Sequence, residues 1–168
     1  MKQHFITLAR ANQWANRILY AELEKLTAVQ LAEPSQVNFG SILGIANHTV
    51  LADRLWLQRF GFPGETATTA DATPWPDLPS LRAARAAEDV RVIAFAEGLD
   101  TARMDFILRY TTTRGEARAM AFDMCLAHFY NHQTFHRGQI HALLGVHGVK
   151  ARDLDLMFYV AEQGGAGA

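Results

Sequence analysis

Apolar residues recur at helical spacing through most of the chain. Over 3–26, Phe5, Leu8, Ala9, Ala11, Ala15, Ile18, Leu19, Leu23 and Leu26 fall on one stripe, with Gln, Asn, Arg, Glu and Lys between them. Thr27-Ala28-Val29-Gln30 has the capping-box pattern and predicts a one-turn helix ended by Pro34. Ser41 is a suitable N-cap for a second long helix over 42–60. Its stripe holds Ile42, Ile45, Ala46, Thr49, Ala52, Leu55 and Trp56, and His48 falls inside it. Gly61-Phe62-Pro63-Gly64 stops that helix. Residues 65–79, rich in Thr, Ala, Asp and Pro, predict the longest loop, and long loops in compact domains often border sites. Ser80 opens a third helix over 81–98, with Leu81, Ala84, Ala87, Val90 or Arg91, Ala94 and Phe95 along it and Gly98 at its stop.

Over 104–119 the period changes. Asp105-Phe106-Ile107-Leu108-Arg109-Tyr110 and the residues after Thr111-Thr112-Thr113-Arg114-Gly115 predict a short hairpin. A fourth helix over 120–147 ends at Gly148, Asp153 starts a short fifth over 154–162, and 164–168 reads as a frayed tail. The pattern predicts an all-α fold: a four-helix bundle in one domain over 1–163, with a short β-hairpin before the fourth helix and a short C-terminal helix.

The seam of the fourth helix breaks the apolar pattern. At steps of three and four it runs Ala121, Cys125, His128, His132, His136, Gln139, Leu143, Val146. The ends are apolar or small, but four consecutive positions in the middle are polar. A buried imidazole or amide without a partner costs about 1–3 kcal/mol, against a typical stability of ~5–15 kcal/mol. A single seam histidine is ordinarily a satisfied core or boundary residue. A metal, however, satisfies several at once. Residues four apart on a helix lie about 40° round the axis, so His132 and His136 can grip one ion, with His48 of the second helix as the third ligand. His128 is rotated too far from His136 to join them and is assigned to the surroundings of the ligands or a substrate-facing wall. Asp53, Asp123 and Tyr130 are candidate hydrogen-bond partners of the ligand imidazoles. Cys125 reads as a small core residue, and His4, His141 and His147 as surface residues. Gly138, costly inside a helix, suggests close approach of another helix.

Three neutral imidazoles with open positions are a catalytic rather than a structural metal arrangement. Imidazole suits Zn, Ni, Cu or Fe. The metalloprotease general base is missing, because Gln133 follows His132 where that motif has Glu. The Glu-xx-His pairs of di-iron bundles are absent too.

Composition excludes other classes. At 168 residues, 49% hydrophobic and 20% charged, the chain has the makings of one ordinary globular core. A net charge of −1 gives no electrostatic footprint for nucleic acid. No apolar run is long enough to span a membrane. A single cysteine and the absence of a signal-peptide pattern at the start place the expected compartment in the cytoplasm.

Phe39-Gly40-Ser41-Ile42 leading to His48, then Asp53 and Trp56-Leu57, then His128-xxx-His132-xxx-His136-Arg137-Gly138-Gln139-Ile140, and Asp153-Leu154-Asp155 after Gly148, together resemble the DinB/YfiT-like family of metalloenzymes. The resemblance spans nearly the whole chain. It implies a four-helix bundle, a homodimer, and one divalent metal, zinc or nickel, on the equivalents of His48, His132 and His136. Within that superfamily some members are transferases or isomerases that use a low-molecular-weight thiol. Two functional readings follow. One is a metal-dependent enzyme, a thiol-dependent transferase or a hydrolase acting on a small electrophile, in a pocket walled by the 65–79 loop and the start of the first helix. The other is a non-catalytic metal- or ligand-binding bundle of the stress response.

Overall fold

The computed structural model describes residues 2–100 and 104–164. The elements run α1 (Lys2–Leu23), α2 (Ala28–Ala32), α3 (Ile42–Arg59), α4 (Leu78–Gly98), β1 (Ile107–Thr111), β2 (Ala117–Ala121), α5 (Phe122–Val146) and α6 (Leu156–Gly164). The protein is mostly helical with one small sheet, and no helix among the described residues is long and apolar enough to cross a membrane. The strands pair antiparallel with Ile107 opposite Ala121 and Tyr110 opposite Arg118, as the period change predicts. Of the expected tail, residues 165–168 lie outside the described residues.

Local signals act as expected at several ends. Thr27 and Gln30 form the reciprocal capping box of α2, and Ser41 caps α3 by accepting from the Gly44 N–H at 3.0 Å. The third long helix starts earlier than Ser80. Asp77 is its cap, accepting from the Ser80 N–H at 2.8 Å, and Pro79 sits in the first turn, where a missing N–H costs nothing.

The four long helices contact one another in a ring: α1 touches α4 and α5, and α3 touches the same two. Two apolar clusters occupy its ends. One gathers Phe5, Leu57, Phe95, Leu126 and Phe129, the other Leu19, Ile45, Leu81, Ile140 and Leu144. The order of these residues along each helix shows that α1 and α5 run one way and α3 and α4 the other. Parallel neighbours cannot be joined by a tight turn. This is why the connection from α3 to α4 is the longest in the chain: it must return along the length of the helices.

Between the clusters lies a buried polar layer at one level of all four helices: Asn12, Asn16, Asp53, Arg85, Asp89 and Gln133. It explains the one face that periodicity misassigns. Ala87 and Val90 are exposed, whereas Arg85, Glu88 and Asp89 point inward, because they satisfy one another and their neighbours through ion pairs and hydrogen bonds. Apolar periodicity cannot detect a buried face built from paired charges.

Gly138 also departs from expectation. A Cβ built there would meet nothing within 4 Å, so no helix approaches closely. Gly138→Ala is therefore expected to stabilise the protein by about 0.5–1 kcal/mol in chemical denaturation, since alanine restricts the unfolded chain and α5 has room for it.

Candidate metal centre

α3 and α5 run antiparallel and bring His48 opposite His132 and His136. His132 Nε2 lies 3.2 Å from His48 Nε2 and 3.2 Å from His136 Nε2. One ligand atom from each residue falls within 4.8 Å of the others. Two imidazole nitrogens held ~2.0–2.1 Å from one ion at a tetrahedral angle would lie about 3.3–3.4 Å apart, close to these separations. His48 and His136 are buried, and His132 is half-buried.

The remaining ring nitrogens fix which lone pairs are free. His48 Nδ1 lies 2.7 Å from the Ala70 carbonyl oxygen, and His136 Nδ1 lies 2.8 Å from Gln139 Oε1. Both partners are acceptors, so each neutral ring carries its proton on Nδ1 and leaves Nε2 bare. A proton on His132 Nε2 can serve only one of its two neighbours. The lone pair of the other neighbour is then left without a donor. Protonating the rings is not an easy escape. Burial lowers the pKa of His48 to about 4. Burial, together with the neighbouring His136 and His48, lowers that of His132 to about 3. Burial also lowers the pKa of His136, against the bond to Gln139. A metal cation would satisfy all three Nε2 atoms with the rings neutral, while Ala70 and Gln139 hold two of the rings from behind.

Phe39 covers one side of this cluster. Its ring stacks on His48 with centroids 3.6 Å apart and 14° between planes, and meets His136 edge-on at 5.6 Å. Its backbone is in the left-handed region at φ 66°, rare for a bulky residue, and Gly40 follows at φ 72°. Gly44 makes the turn possible: a Cβ there would lie 2.0 Å from the Phe39 carbonyl oxygen. The left-handed turn thus delivers an aromatic ring onto a candidate ligand, a use of strain often seen at functional sites.

The other sequence candidates fall into place around this geometry. His128 is exposed, its ring 5.5 Å from that of His132 and 5.0 Å from that of Trp56, and it is not one of the three converging residues. Asp53 does not serve an imidazole. It accepts from Gln133 Nε2 at 2.8 Å and from Arg85 Nη1 at 2.6 Å in the polar layer. Asp123 is exposed at the start of α5 and accepts from the Met124 N–H. Among the described residues the Tyr130 hydroxyl is buried without a hydrogen-bond partner, its ring stacked on Phe5. The start of α1 thus packs on Tyr130, and Phe39 supplies the aromatic wall beside the imidazoles. Cys125 is a buried core residue, as expected. His4 is exposed, but His141 and His147 are half-buried. His141 Nε2 lies 3.0 Å from the Arg152 carbonyl, and His147 lies near Glu33.

Sequence reasoning missed three contributors. Gln139 could have been found, because it lies three residues after His136 and so one turn along the same face. The Ala70 carbonyl and the Phe39 stack had no signal, since each depends on the path of a loop.

The fold and this cluster define a mostly helical protein with a three-histidine site able to hold a metal ion. The sequence matches the DinB family over residues 1–165, and the chain belongs to that family. Among solved structures, it is similar to a DinB-like protein from Bacillus cereus. The two are 21% identical with a TM-score of 0.65, over 87% of this chain and 94% of the other. That likeness concerns the fold. No curated protein is significantly similar to the chain.

Proposed function

We propose that this DinB family protein binds one divalent transition metal, zinc or nickel, through His48, His132 and His136. On this reading it is a metal-dependent enzyme acting on a small electrophile with a low-molecular-weight thiol or water as nucleophile. The observation that carries it is the convergence of three Nε2 atoms, two of them on rings whose Nδ1 is already engaged. A bound divalent ion supplies Lewis acidity and lowers the pKa of a thiol or water beside it. All three ligands are neutral, so the ion would keep its full charge and favour an anionic nucleophile.

The chain's own residues do the rest. Ala70 and Gln139 orient His48 and His136, and Phe39 excludes water from one side. His128 and Trp56 wall the approach from the other end of the α3–α5 seam. The same reading takes the long helices as a four-helix bundle in a single domain, present as a homodimer in the cytoplasm. A second reading, a non-catalytic metal- or ligand-binding module, draws on the closeness of Phe39 to His48, which suits a closed site.

Elemental analysis of untagged protein tests the metal: about one zinc or nickel per chain is expected, and none would overturn both readings. Visible spectroscopy on cobalt-substituted protein then separates them. A spectral change on adding thiols supports an open, reactive site. An unchanged spectrum with every thiol tried rejects the thiol-dependent enzyme.

A further inference from the structure

One cation beside the imidazole cluster is held in place but left without a counter-charge. Arg59 stands in the last turn of α3, half-buried. Its guanidinium carbon lies 4.8 Å from the Trp56 ring centre and 4.7 Å from that of Tyr110. Tyr110 comes from β1, and its ring also touches Trp56, with centres 5.4 Å apart, so both rings face the guanidinium from the same side. The guanidinium donates through Nη2 to the Thr111 carbonyl at 3.5 Å, the long limit for such a bond. A guanidinium has five N–H donors. Arg54 and Arg91 meet Glu88, and Arg85 meets Asp53 and Asp89, whereas Arg137 donates to Asn12, Asn16 and Thr134. Among the described residues no carboxylate is in ion-pair range of Arg59. Burial lowers its pKa, as for a cation removed from water, and Tyr110 and Cys125 oppose that only in part.

Its position ties it to the site. Trp56 links the arginine to His128, whose ring contacts His132. The centres step 4.8 Å from the guanidinium carbon to Trp56, 5.0 Å from Trp56 to His128 and 5.5 Å from His128 to His132, so the guanidinium lies within about 15 Å of the His132 ring. That is the span of a small molecule with one end at each.

We propose that Arg59, held against the Trp56 and Tyr110 rings, anchors a carboxylate of the substrate whose reactive end lies at the His48–His132–His136 cluster. The substrate class is therefore a small carboxylic acid whose chain reaches from the guanidinium to the cluster. This deepens the metal-dependent reading and rests on it for the reacting end. The neighbouring rings limit the movement of the guanidinium, and a planar fork matches a carboxylate through two parallel N–H donations. The contacts of Arg59 with Trp56 and Tyr110 also hold the hairpin to α3, and the test must separate the two roles.

The first arm needs no metal. In the NMR spectrum of the full chain labelled with nitrogen-15, hexanoate is expected to move the Arg59 Nε–H resonance and hexanamide to leave it in place. The second arm uses cobalt-loaded protein with 6-mercaptohexanoate and 6-mercaptohexanamide. The acid is expected to bind about tenfold more tightly, the worth of one charge-assisted contact. That preference should vanish in Arg59→Met while the cobalt spectrum, the affinity for the amide and the hairpin amide resonances stay as in the parent. Equal binding of acid and amide by the parent, or a preference that survives in Arg59→Met, overturns the proposal. If Arg59→Met loses the hairpin resonances, the hexanoate response of the parent decides alone. A hexanoate response without cobalt binding rejects the metal reading and keeps the anion site. Cobalt and thiol binding without an acid preference does the reverse.

Discussion

Replacing His132 with alanine is expected to abolish stoichiometric metal binding and leave the metal-free protein nearly as stable as its parent. His132 is the middle of the three histidines, with 3.2 Å contacts to both other Nε2 atoms. Losing a residue that only orients a metal ligand typically costs ~10–100-fold in affinity, so losing this ligand should cost more than ~100-fold. Gln139→Ala, which frees the back of His136, should fall in that ~10–100-fold range. The stability half of the prediction follows from the same geometry. Without a metal, His132 can donate to only one of its two neighbouring Nε2 atoms, so removing its ring loses at most one hydrogen bond. The change in unfolding free energy of the metal-free protein should stay within about 1 kcal/mol, as for a half-buried side chain outside the core. Isothermal titration with zinc or nickel and urea denaturation after chelation give the two numbers. Unchanged metal affinity in His132→Ala would sink the site, and a large loss of metal-free stability would show that these histidines are simply core residues.

Replacing Arg85 with methionine should destabilise the protein by about 3–5 kcal/mol at neutral pH, the usual cost of stripping one partner from a buried ion pair. Arg85 is nearly enclosed, with Asp53 Oδ2 at 2.6 Å and Asp89 Oδ1 at 3.0 Å. Burial disfavours its charge, but Asp89 and Asp53 outweigh that and raise its pKa. Burial raises the pKa of both aspartates, and Arg85 pulls them back. The variant keeps Arg137, which also faces the two carboxylates but donates to Asn12 and Asn16. The sign with pH follows. A carboxyl whose pKa is higher folded than unfolded holds its proton more tightly in the folded state. Its ionisation therefore costs stability as pH rises from the unfolded value through the folded one. Removing Arg85 raises both aspartates further and enlarges that cost. The gap between variant and parent should be widest near pH 7 and narrow as pH falls towards 4. Urea denaturation across this range measures it, and a gap independent of pH would mean that the loss is one of packing.

Both predictions concern polar groups at one level of the protein, and that level marks the limit of what the sequence shows. The polar run on α5 is legible because four polar seam positions interrupt an otherwise apolar stripe. The equivalent layer on α4 is not, because Ala87 and Val90 offer a plausible apolar face and draw attention from Arg85, Glu88 and Asp89. Asn12 and Asn16 were passed over for the same reason: they stand between apolar residues of α1 and read as its solvent side.

The sequence by itself determined the long helices, the hairpin and the caps at Thr27 and Ser41, and it singled out the three histidines. Those features rest on local rules of spacing and capping, which operate within a turn or two of chain. Only the tertiary structure decided the rest. It brought His48 to within 3.2 Å of His132 across 84 residues, laid the Ala70 carbonyl and the Phe39 ring against His48, and left Arg59 beside Trp56 and a strand of the hairpin. Each of these depends on how separate elements are set against one another, and that is fixed by the packing of the whole core.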